Sequence, residues 1–556
     1  MNRFWLEEYQ QGVPHDIDVN QYQSVADVFR QSTQEYPERI AFSNFGTQLS
    51  FSQLDKETAK MSAYYQGVLG LSKGDKVAIM LPNILQYPIA LFGAQRAGLT
   101  VVNVDPMYTA RELKHQLNDS GAKALVFLEN FANVVEAVLP EVGVEHLVMT
   151  RVGDYLNFPK SVLINFVLKY VKKMVPKHGI QNFDLFNHVL EQGAKQLDGG
   201  FQNIDAELNH DDIAFLQYTG GTTGVSKGAI LTHGNITANV AQARAWINPV
   251  ISAGEERMIT ALPLYHIFSL TANCLYIMSM GGENILITNP RDFKGFIKIL
   301  QKEKFSCITG VNTLYRKMLD TPGFDEIDFS NMKITFAGGM AVTQDVADEW
   351  KQRTGNTVVE AYGLTETSPA ACINPMNLKD YNGTIGLPIS STLIKIIDAE
   401  GNDLGMNEPG ELCIKGPQVT QGYWNLPELK DTTFTSDGYF RTGDIAQVNE
   451  KGYVKLLDRM KDMILVSGFN VYPNELDDVL SSHPKILEAA VIGIDDDVMG
   501  QSVKAFIVKS DDSLTEDEVK AYCKENLTGY KRPREIEFLD ELPKSNVGKI
   551  LRKELR

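Results

Sequence analysis

Short apolar runs alternate with amphipathic segments through most of the chain, and that alternation constrains the fold more than any other feature. Residues 76–81 (KVAIML), 100–104 (TVVNV) and 124–128 (ALVFL) read as buried strands, and residues 84–97 as the helix between the first two. Thr109-Ala110-Arg111-Glu112 has the S/T-x-x-E form of a capping box, so a second helix is expected to begin there. Buried strands separated by helices imply a parallel sheet covered on both faces. The pattern resumes from Asp212 to about Pro375. Between about 383 and 457 it gives way to short strands, at 393–397, 411–415 and 453–457, with Gly, Pro and Asn turns, which indicates a small β subdomain. A compact tail follows, with strands at 489–493 and 503–508 and another capping box from Thr515 to Glu518. The expected class is α/β. A large N-terminal body of doubly wound sheets with its β subdomain spans 1–457, a hinge 458–462, and a small mobile α+β C-terminal domain 463–556.

The charge balance narrows the partners. Lys and Arg number 53 against 70 Asp and Glu, a net charge of −17. Such a chain is a poor coat for nucleic acid, which is held by basic side chains replacing counterions. The five cysteines, Cys274, Cys307, Cys372, Cys413 and Cys523, are far apart and form no CxxC pair, so buried free thiols in a reducing compartment are expected. The first dozen residues, MNRFWLEEYQQG, lack the apolar core of a secretory signal.

Two stretches bear on membranes. Residues 261–282 carry no charged side chain, but Pro263, His266, Asn273 and Gly281-Gly282 suit a buried strand–loop–helix better than a spanning helix. Residues 160–179 hold five lysines and no acid. Val162, Leu163, Phe166, Val167, Tyr170, Val171 and Met174 recur there at helical spacing, while Ile164 and Leu168 fall off the stripe. That pattern fits a helix lying in a lipid headgroup layer, or an ordinary surface helix with its apolar face in the core.

The densest chemical signal is Tyr218-Thr219-Gly220-Gly221-Thr222-Thr223-Gly224-Val225-Ser226-Lys227-Gly228. Its glycines let backbone approach an anion, and its hydroxyls and Lys227 supply donors and charge. It is not a Walker A loop, because Lys227 precedes Gly228 and not a Ser or Thr.

This loop resembles the phosphate-binding signature of the adenylate-forming (ANL) superfamily of acyl-CoA synthetases, luciferases and peptide-synthetase adenylation domains. Further stretches resemble that family's motifs in order: Leu262-Pro263-Leu264-Tyr265-His266, Ala337-Gly338-Gly339-Met340, Tyr362-Gly363-Leu364-Thr365-Glu366-Thr367 and Tyr439-Phe440-Arg441-Thr442-Gly443-Asp444. Asp458-Arg459-Met460-Lys461-Asp462 resembles the hinge, and Pro543-Lys544-Ser545-Asn546-Val547-Gly548-Lys549 the C-terminal lysine motif. The wording of residues 86–93, 287–292 and 466–475 is similar to that of bacterial long-chain fatty-acid–CoA ligases.

The resemblance implies ATP-dependent activation of a long-chain fatty acid to its CoA thioester through an acyl-adenylate, with Mg²⁺ as cofactor and ATP and CoA as co-substrates. A carboxylate is a poor electrophile, and bringing it to an anionic triphosphate calls for cations and aligned donors in a water-poor site. By resemblance, Lys549 would bridge carboxylate and α-phosphate, and Tyr218, Thr219, Gly220, Gly221, Thr222, Thr223, Gly224 and Lys227 would form the phosphate loop. Glu366, with Thr222, would hold Mg²⁺. Tyr362 would stack on the adenine, with Gly338 and Gly339 admitting the ring edge and Gly363 and Thr365 in the same nucleotide site, while Asp444 would accept the ribose hydroxyls and Arg459 would complete the ribose and phosphate contacts. His266 would lie beside the acyl carboxylate, without serving as general base. Rotation about Lys461 would exchange Lys549 for the loop of Gly468 and Phe469, opening a channel for CoA. The implied setting is cytoplasmic, peripheral on the cytoplasmic face of the inner membrane, with a homodimer allowed. Two other readings are an adenylating ligase for another acid or a carrier protein, and an inert lipid-binding scaffold. The scaffold would have no chemical need for the polar set retained here.

Overall fold

A computed structural model describes residues 3–219, 226–496, 499–545 and 548–556. Its first sheet has seven strands, ordered Asp184–Leu185, His146–Thr150, Ala124–Leu128, Lys76–Met80, Thr100–Asn103, Ile213–Thr219 and Lys227–Thr232. All neighbours are parallel except the last pair, which is antiparallel. Val77 is in register with Val101, and Val101 with Phe215, so β-branched and aromatic side chains line up across the sheet. Every residue of Ala124–Leu128 is buried, as a strand sandwiched between helices requires. The helix Ala110–Ser120 begins with the complete Thr109–Glu112 capping box and closes on Gly121 at φ +66.

The second sheet has nine strands. Its six central strands, Val358–Gly363, Ile334–Gly338, Cys307–Gly310, Arg257–Thr260, Glu283–Leu286 and Ile40–Asn44, are parallel, and antiparallel strands close both edges. The expected β subdomain is a four-stranded antiparallel sheet of Leu393–Ile397, Gly410–Lys415, Phe440–Val448 and Val454–Arg459. Asp458 and Arg459 belong to its last strand, and the chain turns at Met460-Lys461-Asp462.

The tail has five strands, Ile464–Val466, Phe469–Val471, Ile486–Asp496, Gly500–Lys509 and Glu535–Leu539, with helices Pro473–Ser481 and Glu516–Asn526. It encloses its own core around Ile464, Leu476, Val491 and Ile507. Of the expected Thr515 box only half forms. Thr515 accepts from the Glu518 amide at 3.2 Å, while the Glu518 carboxylate turns to Lys485 at 3.0 Å.

All five cysteines are buried and unpaired, and burial pushes the Cys307 thiol up to about 12. Residues 261–282 form a loop and a short buried helix, Ile267–Ser269, continued by a wide-turned segment, Leu270–Ile277. No helix among the described residues is long and apolar enough to cross a membrane. The basic stretch does form a helix, Lys160–Phe166, continued by one wide turn, Val167–Val171. Its orientation reverses the ordinary arrangement: Ile164 and Leu168 pack on the core, and most of the apolar stripe faces outward.

Candidate active site

The carboxyl ends of strands from both large sheets converge on one cleft, the place where open α/β sheets hold ligands. Ile213–Thr219 delivers Tyr218 and Thr219, Ile334–Gly338 delivers Gly338, and Val358–Gly363 delivers Tyr362 and Gly363. The cleft encloses about 1730 Å³ and is also lined by Gly339, Thr365, Glu366, Lys227 and His266. The β subdomain contributes Asp444 and Arg459, the turn contributes Lys461, and the tail contributes Lys549. Gly220, Gly221, Thr222, Thr223 and Gly224 lie outside the described residues.

Two glycines are dictated by space. A Cβ on Gly363 would stand 1.8 Å from the Pro369 carbonyl oxygen, and one on Gly338 would stand 2.9 Å from that of Ala361. The floor between Tyr362 and the β subdomain is a tight polar set. Tyr362 donates its hydroxyl to Asp444 Oδ2 at 2.6 Å, and Arg459 Nε lies 3.0 Å from Asp444 Oδ1. Asp444 is 1% exposed, so its charge depends on that guanidinium and that phenol.

Lys549, carried by the tail, lies near this set. Burial, and then the neighbouring Arg459 cation, bring its ammonium down to about 8. Its position is fixed by Ser545, whose N donates to Lys549 O at 2.8 Å and whose Oγ accepts from Lys549 N at 3.1 Å. Thr313 Oγ1 meets the Gly548 carbonyl at 3.4 Å, joining the lysine motif to the large body.

His266 caps the helix Ile267–Ser269, its Nδ1 accepting from Phe268 N at 3.3 Å. Burial, and then Lys549, hold its pKa down at about 4, so the ring is neutral at physiological pH. With Nδ1 accepting, the proton sits on Nε2, and the ring can donate but has no basicity to spare. Leu262, Ile267, Ala243 and Ile247 add apolar side chains to the lining of the cleft.

Glu366 is buried, and that burial raises its carboxyl above the ordinary range. Its Oε1 accepts from the Tyr423 hydroxyl at 2.7 Å, and its carbonyl accepts from Thr420 N at 2.7 Å. The Tyr423 ring also lies 5.2 Å from Lys227 Nζ. Tyr423 thus links two predicted site residues and was missed by the sequence reading. It sits in a turn-rich stretch, where the aromatic pair Tyr423-Trp424 is the only signal available. Asp119 was missed too: it accepts from Tyr218 Oη at 2.6 Å, fixing the phenol just before the phosphate loop.

Gly468 and Phe469 stand apart from this assembly. Ser467 and Gly468, at φ +51 and +85, form a two-residue hairpin turn between Ile464–Val466 and Phe469–Val471. Phe469 is exposed and stacks on Tyr530 at 4.8 Å. Lys549, and not this turn, occupies the cleft.

Residues 29–424 match the model of the AMP-binding enzyme family, and residues 475–549 match that of the AMP-binding enzyme C-terminal domain. The chain belongs to the AMP-binding enzyme family. This AMP-binding enzyme is 49% identical to the long-chain-fatty-acid–CoA ligase of Escherichia coli O157:H7, covering 100% of this chain and 98% of that protein. Identity to the Bacillus subtilis protein of the same name is 36%, over 99% of this chain and 97% of the relative. Among solved structures, ATP-bound MatB from Rhodopseudomonas palustris is similar at a TM-score of 0.81 and 26% identity, covering 96% and 98% of the two chains. The anthranilate CoA ligase AuaEII in complex with anthranoyl-AMP shares the fold at a TM-score of 0.85 and 23% identity, covering 97% and 98%.

Proposed function

We propose that this AMP-binding enzyme is a long-chain-fatty-acid–CoA ligase that works through an acyl-adenylate. The observation that carries the reading is the meeting, in one cleft, of the Lys549 ammonium, the Asp444–Arg459 pair, His266 and apolar lining side chains. A fatty carboxylate oxygen attacks the α-phosphorus of ATP, and pyrophosphate leaves. The CoA thiolate then attacks the acyl carbonyl, and AMP leaves.

Lys549 neutralises charge where carboxylate and α-phosphate approach, an interaction strengthened by exclusion of water. His266 Nε2–H orients the carboxylate. Asp444 accepts from the ribose hydroxyls, Tyr362 flanks the adenine, and Lys227 with the loop 218–228 meets the outer phosphates. Glu366 would hold Mg²⁺, which offsets phosphate charge when bound. No group of three or more His, Cys, Asp or Glu side chains among the described residues forms a metal cage. Sharing the ion between one buried carboxylate and substrate phosphates is the usual arrangement for Mg²⁺.

The reading also places the enzyme in the cytoplasm, peripheral to the inner face of the membrane where its substrate partitions, and is compatible with a homodimer. The test is CoA-dependent AMP release across acids from butanoate to stearate. Turnover rising with chain length is expected, and a preference for short or aromatic acids would overturn the long-chain assignment.

A further inference from the structure

Of the seventeen exposed large hydrophobic residues among those described, seven fall within residues 158–174. Phe158 is 84% exposed, and Leu163, Phe166, Tyr170, Val171 and Met174 are between 51% and 64% exposed. A contiguous patch of this kind marks an interaction surface.

The patch is held outward by specific contacts. Ile164 and Leu168 anchor the inner side of the helix in the core. Asn165 Oδ1 accepts from Gly153 N at 2.8 Å, and Asn165 Nδ2 donates to Asp154 at 3.0 Å. A Cβ at Gly153 would come within 2.4 Å of the Ser161 carbonyl oxygen, so helix and loop are closely fitted. The helix therefore cannot roll its stripe inward without breaking these bonds.

The surrounding charge identifies the occupant. Lys172, Lys173 and Lys177 are exposed and have no ion-pair partner among the described residues, whereas Lys169 pairs with Glu129 at 3.1 Å. No acidic residue lies between 160 and 179, although the whole chain carries −17. A second copy docking the same patch on itself would bring lysines against lysines. An anionic bilayer satisfies both elements, since its headgroups meet the ammonium groups and its acyl boundary receives the aromatic and aliphatic side chains.

We infer that residues 158–177 are the surface by which the enzyme docks on an anionic lipid bilayer, seating Phe166 and Tyr170 at the acyl boundary. This rests on the peripheral-membrane reading given above and assigns that contact to one face.

The full chain is tested by co-sedimentation with phosphatidylcholine vesicles, with and without phosphatidylglycerol. It is compared with Phe166→Ser/Tyr170→Ser and with Lys172→Glu/Lys173→Glu/Lys177→Glu. The expected result is wild-type binding that needs phosphatidylglycerol, and a loss of about tenfold or more in each variant. AMP release on a water-soluble acid and the thermal midpoint should not change. Variants that bind as well as wild type would overturn this assignment while leaving the membrane reading intact. A wild type that ignores both vesicles would remove the membrane reading and this inference together. Equal binding to neutral vesicles, or variants that lose dimer mass by light scattering instead of vesicle binding, would also overturn it. So would variants whose soluble-substrate activity and thermal midpoint fall together.

Discussion

Asp444 and Arg459 face each other as register partners on adjacent antiparallel strands of the β subdomain, and their side chains close to 3.0 Å on the floor of the cleft. Both are thus placed by a backbone ladder, although Arg459 lies one residue before the chain turns toward the tail. The pair ties the lining of the cleft to the junction between the two parts of the molecule.

Removing one partner should expose that dependence. Arg459→Ala leaves the Asp444 carboxylate buried with only the Tyr362 hydroxyl. The expected destabilisation is about 3 kcal/mol, the low end for a broken buried pair because Arg459 is partly exposed. Urea unfolding measures it, and adenylate formation should fall in the same variant. A midpoint equal to wild type would show that the pair contributes nothing to stability.

The depressed ammonium of Lys549 predicts a pH profile. Its charged form prevails below about 8 and is lost above, so kcat/KM for adenylation should be level near pH 7. It should then fall about tenfold per pH unit beyond pH 8. Lys549→Arg keeps its charge throughout the accessible pH range, so its profile should lose that fall even though its absolute rate is lower. His266, held down at about 4, should add no inflection between pH 5 and 8.

Tyr423→Phe removes the hydroxyl that Glu366 accepts from at 2.7 Å while keeping the ring near Lys227. That hydrogen bond lowers the Glu366 pKa against the upward push of burial, so the variant should hold the carboxylate less readily in its charged form. The expected outcome is about a tenfold higher Mg²⁺ concentration for half-maximal AMP release, since one lost hydrogen bond to a charged group is worth about 1.5 kcal/mol. An unchanged Mg²⁺ titration would separate Glu366 from the metal.

Lys461→Pro stiffens the turn between the last subdomain strand and the tail. Pyrophosphate release in the first half-reaction should survive better than thioester formation from preformed acyl-adenylate. Equal loss in both would count against rotation at this turn.

Much of this arrangement was legible because parallel strands buried on both faces must be continuous apolar runs. Ala124–Leu128 stands where its pattern put it, and the Thr109 box opens the helix it announced. The motif residues could be recognised, but their meeting in one cleft depends on two sheets far apart in the chain. Tyr423 stayed hidden because one aromatic residue in a turn carries no periodicity. The basic helix shows another limit. Spacing revealed its stripe, but not which side meets the core, because that choice is made by Gly153 and Asp154 through their contacts with Asn165.

Lys549 and the Ser467–Gly468 turn are carried by the same C-terminal body, built on one sheet with its own core. Any swing that brings the turn to the cleft must carry the lysine out, as the two ends of a seesaw cannot both be down. Under the proposed rotation at Lys461 the order of events would need no separate sensor, because one body would trade the lysine for the turn in a single move.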